Sequence, residues 1–303
     1  MTGSTTPQPA PDSAAGHPEP FGVRLRRAMD TRGPLCVGID PHAGLLTGWG
    51  LPDDPAGLER FALTVVDALG GHTAVFKPQS AFFERFGSRG VAVLEKAVAR
   101  AREAGALVVM DAKRGDIGST MAAYAATYFD PASPLFSDAL TVSPFLGFGS
   151  LRPALDAAEA SGGGVFVLAL TSNPEGGQVQ RAASADGRSV AQVMLDAVAA
   201  ENAGAAPLGS VGAVVGATLA EAGADLAVGG PLLAPGVGAQ GATPADLPAL
   251  FGPALPNVLP SVSRDVLRHG PDPAALLKSV RAYADQVRAA VRGAVESGGI
   301  AGG

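Results

Sequence analysis

The amino-acid sequence predicts a single α/β domain of the (β/α)8 barrel class, the TIM barrel, and three observations support this. Eight short apolar runs rich in Val, Leu and Ala recur along the chain. The segments between the runs have the apolar spacing of amphipathic helices. Eight strand–helix units in about 280 residues match the size of such a barrel, in which all the strands are parallel.

The eight apolar runs contain few polar residues, which is typical of strands that are buried on both faces. They are LCVGID (35–40), AVFKPQ (74–79), ALVVMDAK (106–113), ALTVS (139–143), GVFVLALTS (164–172), VGAVVGAT (211–218), PLLAPGVG (231–238) and NVLPSVS (257–263). An open, doubly wound sheet is the alternative. No G-x-G-x-x-G motif follows the first run, and this disfavours the dinucleotide-binding form of that fold.

Helical patterns fill most intervals between the runs and continue after the last one. They cover residues 55–70, 90–105, 118–129, 150–163, 189–204, 218–228 and 272–297. Ser150 is expected to cap the N-terminus of its helix, and Gly105 to lie at the C-cap of the helix that precedes the third run.

The two ends of the chain differ in composition from the barrel, which we expect over residues 21–297. Residues 1–20 are rich in Pro, Ser, Thr and Ala and lack the apolar segment of a signal peptide, so a disordered tail is expected. Residues 298–303 are expected to form a flexible, glycine-rich C-terminus. No stretch has the roughly 18 apolar residues of a membrane helix, and we expect a cytoplasmic protein.

Composition disfavours two classes of function. The net charge is −6 and no Lys/Arg cluster resembles a nucleic-acid-binding surface, so nucleic-acid binding is not expected. The single cysteine, Cys36, excludes an internal disulfide and a multi-cysteine metal site, and its apolar surroundings indicate a buried side chain. The four histidines are scattered without metal-ligand spacing, so no metal site is predicted.

Polar residues collect where the predicted strands end, which is the edge of a TIM barrel that carries its catalytic residues. They are Asp40, Lys77, Asp111, Lys113, Asp116, Thr171, Ser172, Asn173, Gln240, Ser261, Ser263 and Arg264. Each also has a structural interpretation. Asp40 could begin a turn, Lys77 could extend along the surface, and Asp116 could cap the next helix. Their convergence on one rim favours a functional site.

The stretch DAKRGD (111–116) is the hardest to explain by structure alone. Asp111 and Lys113 are two residues apart on a predicted strand, so both side chains point to the same side. If that side is the barrel interior, a carboxylate and an ammonium lie together at its mouth, where Asp40 and Lys77 can join them. Alternating acids and bases stabilise one another where an isolated buried charge would not be stable.

Several motifs together resemble the orotidine 5′-phosphate decarboxylase family, in its longer bacterial subgroup. DAKRGDIGST resembles the family signature, and APGVGAQG resembles the loop that surrounds the base and the phosphate. GID, FKPQ, LTSNPEG and SVSR are similar to further family motifs in the same order. The resemblance covers about residues 21–290. SVSRDV lacks the glycine that many members have before the arginine, and 173–210 is longer than in compact members.

The resemblance implies that orotidine 5′-monophosphate is decarboxylated to uridine 5′-monophosphate, the last step of pyrimidine nucleotide biosynthesis, without metal or cofactor. It implies that Lys113 stabilises a carbanion at carbon 6 of the pyrimidine and then donates a proton to it. Asp111 would lie near the departing carboxylate, Lys77 would bridge the acids and the ribose, and Asp116 would complete the catalytic set.

The resemblance also implies a homodimer with shared active sites and a set of substrate-binding residues. That set is Asp40, Ile117, Thr120, Ser172, Pro235, Gln240, Ser263 and Arg264. Asp116, Ile117 and Thr120 would reach into the partner's site. Ser172 would bind the pyrimidine, and Arg264 would bind the phosphate.

Three other functions remain open at this point. A sugar-phosphate decarboxylase or aldolase could use the same scaffold with Mg²⁺, but its metal needs an acid on a neighbouring strand, and LTVSPFLG (140–147) has none. A Schiff-base aldolase would use Lys113 with a lowered pKa, whereas flanking carboxylates favour the charged lysine. A non-catalytic phosphate-binding barrel would not need so many charged residues on the rim.

Overall fold

A computed structural model describes residues 18–297 and confirms the predicted (β/α)8 barrel. Eight parallel strands are hydrogen-bonded in chain order, and the pairing of the first with the eighth closes the barrel. The strands are β1 (Cys36–Ile39), β2 (Val75–Pro78), β3 (Leu107–Arg114), β4 (Ala139–Val142), β5 (Gly164–Leu170), β6 (Val211–Val215), β7 (Leu232–Pro235) and β8 (Val258–Val262). Each of them falls on one of the predicted apolar runs.

Twelve α-helices surround the barrel or extend its loops within the described residues. They are α1 (Phe21–Arg32), α2 (Ala43–Gly48), α3 (Pro55–Leu69), α4 (Ser80–Glu84), α5 (Ser88–Glu103), α6 (Gly118–Phe129), α7 (Arg152–Ser161), α8 (Gly177–Gln180), α9 (Val190–Glu201), α10 (Leu247–Phe251), α11 (Arg264–Leu267) and α12 (Pro273–Glu296). Over residues 18–297, none of these helices is long and apolar enough to cross a membrane. The tail predictions for residues 1–17 and 298–303 lie outside the described residues.

Local chemistry accounts for where two of the long helices begin and end. At the start of α3, the Asp54 side chain accepts hydrogen bonds from the backbone N–H groups of Ala56 and Gly57, both at 2.9 Å. After α5, Gly105 adopts a φ of 76°, one residue beyond the C-cap, where glycine is favoured. The Asp54 side chain thus satisfies backbone N–H groups at the start of α3, and the conformation of Gly105 ends α5.

The cap predicted at Ser150 is wrong. A 3₁₀ turn over Phe148–Leu151 precedes α7, and the helix has no side-chain cap. The Ser150 hydroxyl instead donates to the carbonyl of Gly147 within that turn.

The helix predicted over residues 218–228 is also wrong, because the connection from β6 to β7 contains no helix. Burial alternates along this segment, with Leu226 and Val228 buried and Asp225 and Ala227 exposed. Such a period of two residues is typical of an extended chain that lies against the barrel. Gly223, with a φ of 60°, further interrupts any helix.

An N-terminal helix that the sequence analysis did not identify closes the lower end of the barrel. Helix α1 buries Phe21, Leu25 and Met29, and the Phe21 ring meets the Phe166 ring edge-on at 5.9 Å. Cys36 belongs to the same inner cluster and is fully buried, as predicted. Burial raises the pKa of its thiol to about 12. The lower interior is therefore filled with apolar side chains.

Alternation along the strands brings polar side chains into the upper interior. In β2, Val75 belongs to the inner cluster, so Lys77, two residues later, also faces inward. In β3, Val109 belongs to the inner cluster, so Asp111, two residues later, also faces inward. The barrel thus has an apolar lower layer and a charged upper layer, and the charged layer lies at the carboxyl ends of the strands.

Candidate active site

A cavity of about 400 Å³ opens at the carboxyl ends of the strands, above the apolar layer. Most of the predicted site residues line it, namely Asp40, Lys77, Asp111, Lys113, Pro235, Gln240, Ser263 and Arg264. They come from both ends of the chain, and the closed strand order brings them together.

The centre of the cavity floor is the Asp111 carboxylate, which accepts three hydrogen bonds. Lys77 Nζ lies 2.8 Å from one oxygen, and Lys113 Nζ lies 2.6 Å from the other. The Thr141 hydroxyl is 3.0 Å from the same oxygen as Lys113. Lys77 and Asp111 are buried, whereas the Lys113 side chain is 43% exposed. One buried carboxylate thus holds two ammonium groups, of which one faces the open cavity.

Electrostatics keep this buried group ionised. Burial alone would raise the pKa of Asp111, but the ammonium groups of Lys77 and Lys113 outweigh it and hold that pKa well below its usual range. Burial would lower the pKa of Lys77, but Asp111 and Asp40 raise it above its usual value. Both side chains are therefore charged at neutral pH.

Lys113 reaches the cavity through an irregular backbone. Its φ is 49°, and within residues 18–297 it is the one non-glycine residue in the left-handed region. The β3–β4 register shifts between Met110 and Arg114, as at a β-bulge. The prediction that Asp111 and Lys113 share one side assumed a regular strand. They do meet, but through this bulge, and backbone strain of this kind is often found at active sites.

Arg114 points away from the cavity and anchors the end of β3. Its guanidinium donates to Glu84 of α4 at 2.5 Å and lies 5.4 Å from the centre of the Tyr124 ring of α6. Burial lowers the Arg114 pKa, but Tyr128 and Glu84 outweigh this effect and raise it. Arg114 therefore links the charged strand to the helices on both of its sides.

A glycine-rich loop after β7 forms the opposite wall. Gly238 has a φ of 83°, and a Cβ at this position would lie 2.6 Å from the carboxylate of Asp265. The Tyr283 hydroxyl donates to that carboxylate at 2.8 Å. Only glycine fits this packing, which holds the loop against α11 and α12. Arg264 begins α11 and is exposed at the mouth of the same cavity.

Two buried polar atoms in the cavity have no hydrogen-bond partner among the described residues, Asp40 Oδ1 and Ser263 Oγ. A Cβ on Gly38 would lie 2.8 Å from Ser263 Cβ and 3.0 Å from Asp40 Oδ2, so this glycine makes room for both side chains. Buried polar atoms are usually paired. These two side chains line the cavity with polar capacity that no group of the described residues uses.

Four predicted site residues do not line the cavity: Asp116, Ile117, Thr120 and Ser172. The first three lie on the loop after β3 and the first turn of α6, and Ile117 is 62% exposed. Asp116 accepts a bond from the Ile117 N–H, and α6 has no side-chain cap, so the structural role as a helix cap is wrong. Ser172 is exposed, and its neighbour Thr171 lines the cavity instead.

Several uncharged or aromatic residues that line the cavity are not among the predicted site residues, namely His42, Gln79, Phe82 and Thr141. The His42 ring lies 4.3 Å from that of Phe82 at the rim. Thr141 could have been found, because in β4 it lies two residues after the inward-facing Ala139.

No group of three or more His, Cys, Asp or Glu side chains suited to a metal ion occurs within residues 18–297. At the end of β4, the cavity is lined by the hydroxyl-bearing Thr141 rather than by a carboxylate. The Asp111 carboxylate of this cavity is engaged by the ammonium groups of Lys77 and Lys113, which disfavour a metal cation beside it.

Comparisons with known proteins identify the family of this chain. Residues 33–280 match the model of the orotidine 5′-phosphate decarboxylase / HUMPS family. The orotidine 5′-phosphate decarboxylase of Streptomyces coelicolor is 70% identical over 274 residues, covering 90% of this chain and 99% of the relative. That of Salinispora arenicola is 66% identical over 278 residues, covering 91% and 99%.

A solved structure extends the similarity to the fold. A Streptomyces avermitilis chain assigned to the same enzyme superposes with a TM-score of 0.90 at 70% identity, over 92% of this chain and 98% of that one. The chain therefore belongs to the orotidine 5′-phosphate decarboxylase / HUMPS family.

Proposed function

We propose that this protein decarboxylates orotidine 5′-monophosphate to uridine 5′-monophosphate and CO₂, and that Lys113 protonates carbon 6. The observation that carries the proposal is the Asp111 carboxylate held between Lys77 and Lys113 on the floor of the cavity. A glycine-rich loop and Arg264 line the same cavity. The protein thus presents a fixed cation at one place and an anion-binding loop at another, as a phosphorylated substrate that forms a carbanion requires.

The chemical step needs only groups of the cavity. The bond between carbon 6 and the carboxylate breaks, CO₂ leaves, and the electron pair remains on carbon 6. The Lys113 ammonium stabilises this charge through its fixed position and then transfers its proton to the carbon. Because the Lys113 side chain is 43% exposed, solvent can restore the proton. Asp111 holds the ammonium in place throughout.

The remaining cavity residues bind the parts of the substrate that do not react. We propose that Arg264 and the glycine loop hold the phosphate, with Gln240 over it, because TIM barrels commonly bind phosphate after the seventh and eighth strands. Asp40 and Lys77 would bind the ribose hydroxyls. The exposed Ser172 would reach the pyrimidine when its loop closes over the substrate, so that remote binding energy supports the chemical step.

We further propose a cytoplasmic homodimer with shared active sites. Three large apolar side chains are exposed after β3 and β4: Ile117 at 62%, Phe145 at 76% and Leu146 at 54%. Exposed apolar residues of this kind favour a protein interface. A second copy of the chain is the proposed partner, with Asp116 and Thr120 reaching its site. With its single cysteine the chain has no internal disulfide, as is usual for proteins of the cytoplasm.

Subunit mixing tests the shared site. Lys113→Ala and Asp116→Ala should each be inactive alone, but a mixed dimer would contain one site with both residues intact. After full exchange, about a quarter of the sites, and so about a quarter of the wild-type activity, should return. The matched control is Lys113→Ala with Arg264→Ala, two residues of the same cavity, for which no recovery is expected. Absence of recovery in the first mixture, with mixed dimers confirmed by native mass spectrometry, would contradict the shared site.

The reaction itself is tested by following the ultraviolet absorbance of orotidine 5′-monophosphate. Purified protein should consume this nucleotide at the same rate with and without EDTA, because no step of the proposal uses a metal ion. Consumption that stops in EDTA and returns with Mg²⁺ would contradict the metal-free mechanism proposed for Lys113. No consumption under either condition would remove the proposed function.

A further inference from the structure

We propose that Thr141, at the end of β4, is a positioning residue that sets the relative geometry of Asp111 and Lys113. The inference rests on the proposed function and adds to it a residue outside the predicted site. The Thr141 hydroxyl is 3.0 Å from Asp111 Oδ1 and 3.0 Å from the backbone nitrogen of Lys113. Thr141 is 1% exposed, so no bulk water replaces these bonds.

The chemistry of the neighbours fixes the direction of both hydrogen bonds. An ionised carboxylate only accepts, and a backbone N–H only donates. The single proton of the Thr141 hydroxyl therefore points to Asp111, and an oxygen lone pair faces the N–H of Lys113. The bond to Asp111 is assisted by its charge and is correspondingly strong. The carbonyl of Met110, at 3.5 Å from the hydroxyl, is too distant to compete.

The bond to the Lys113 backbone matters because this backbone is strained. Residues other than glycine disfavour the left-handed region of backbone conformation, and Lys113 lies in this region with a φ of 49°. Such a conformation persists where surrounding contacts hold it. Thr141 supplies one of these contacts, and the N–H of Ser143 supplies another by donating to the carbonyl of Arg114 at 2.8 Å. Thr141 in β4 and Ser143 just after β4 thus hold the bulge of β3, one at Lys113 and the other at the next residue.

Loss of the hydroxyl would affect the lysine more than the substrate. Asp111 would keep its bonds to Lys77 and Lys113 but lose its third donor, and the Lys113 N–H would lose its acceptor. Since the Lys113 side chain is 43% exposed, its ammonium can then move toward water. The groups proposed for phosphate and ribose, Arg264 and Asp40, have no hydrogen bond to Thr141. The expected result is a slower chemical step with unchanged binding.

The test compares three variants by kcat on orotidine 5′-monophosphate and by the affinity for uridine 5′-monophosphate, measured by calorimetry. Thr141→Val keeps the shape and removes the hydroxyl, and should lower kcat about 10- to 100-fold with the affinity within about 3-fold of wild type. Thr141→Ser restores the hydroxyl and should recover most of kcat. Thr73→Val is the matched control, because Thr73 is also 1% exposed but its hydroxyl has no hydrogen-bond partner within residues 18–297. It should leave kcat unchanged.

A wild-type kcat for Thr141→Val, or a Thr141→Ser variant as slow as Thr141→Val, would overturn the inference. An affinity that falls as much as kcat would also overturn it, because Thr141 would then act on binding. A crystal structure of Thr141→Val separates this inference from the proposed function. It should show the Lys113 ammonium displaced from Asp111 whatever the reaction, and an unchanged Lys113 would contradict the positioning role.

Discussion

Replacement of Lys113 with alanine should lower kcat for orotidine 5′-monophosphate by at least about 10⁴-fold, because one side chain has two roles in the proposed reaction. A fixed group that stabilises developing charge contributes about 10²- to 10³-fold, and a positioned proton donor about 10²- to 10⁴-fold. The Lys113 ammonium, 2.6 Å from Asp111 and facing the cavity, is placed for both roles.

The loss should be confined to the chemical step. Lys113→Ala should bind uridine 5′-monophosphate, because Arg264 and the glycine loop are untouched, and it should unfold near the wild-type temperature. Lys96→Ala is a matched control, since Lys96 is paired with Glu59 on the surface and does not line the cavity. Its kcat should be that of the wild type. A folded Lys113→Ala that retains more than about 1% of kcat would remove the assigned role of the lysine.

Replacement of Asp111 with alanine should damage both activity and stability. Lys77 is 5% exposed and bonds directly to Asp111, so the substitution leaves a buried ammonium without this partner. Breaking a buried ion pair in this way costs about 3–5 kcal/mol of the free energy of unfolding. Loss of the group that holds Lys113 should lower kcat about 10³-fold, within the range of a lost electrostatic contact.

The double variant Asp111→Ala/Lys77→Met separates the two effects. Removal of the unpaired ammonium should return a large part of the lost stability in urea unfolding, whereas kcat should remain low. A double variant no more stable than Asp111→Ala would contradict the assignment of the loss to an unpaired buried charge.

The free energy of unfolding that is lost in Asp111→Ala should also depend on pH. The pKa of Asp111 is lowered on folding, so its contribution is complete above the unfolded pKa of about 3.9 and is lost as the pH falls toward the folded value. The pKa of Lys77 is raised, so its contribution is complete below about pH 10.4 and is lost above that. The difference in the free energy of unfolding between wild type and Asp111→Ala should therefore be complete at about pH 5 and shrink as the pH falls below about 4.

The sequence predicted the barrel and its charged centre because both depend on simple periodicity. Parallel strands buried on both faces are continuous apolar runs, and alternation within the strand places Lys77 with Val75. The helix predicted over residues 218–228 is wrong because Ala and Leu suit a helix by composition, whereas the apolar residues of this segment recur at every second position. The helix Phe21–Arg32 is not predicted by the strand–helix alternation, because no strand precedes it.

The finer geometry of the site depends on contacts that composition does not reveal. A positive φ is uncommon outside glycine, so the left-handed backbone of Lys113 has no signal in its residue type. Thr141 is uncharged and lies within an apolar run, and its bonds to Asp111 and Lys113 exist only because β4 lies beside the bulge. His42 reaches the rim through a loop, which strand periodicity does not describe.

A crystal structure with uridine 5′-monophosphate bound would show whether Lys113 faces carbon 6 of the pyrimidine. We expect the phosphate at Arg264 and the glycine loop, and the Lys113 ammonium within about 3.5 Å of carbon 6, as proton transfer requires. A nucleotide bound with its pyrimidine outside the cavity, or with carbon 6 beyond the reach of Lys113, would contradict this expectation.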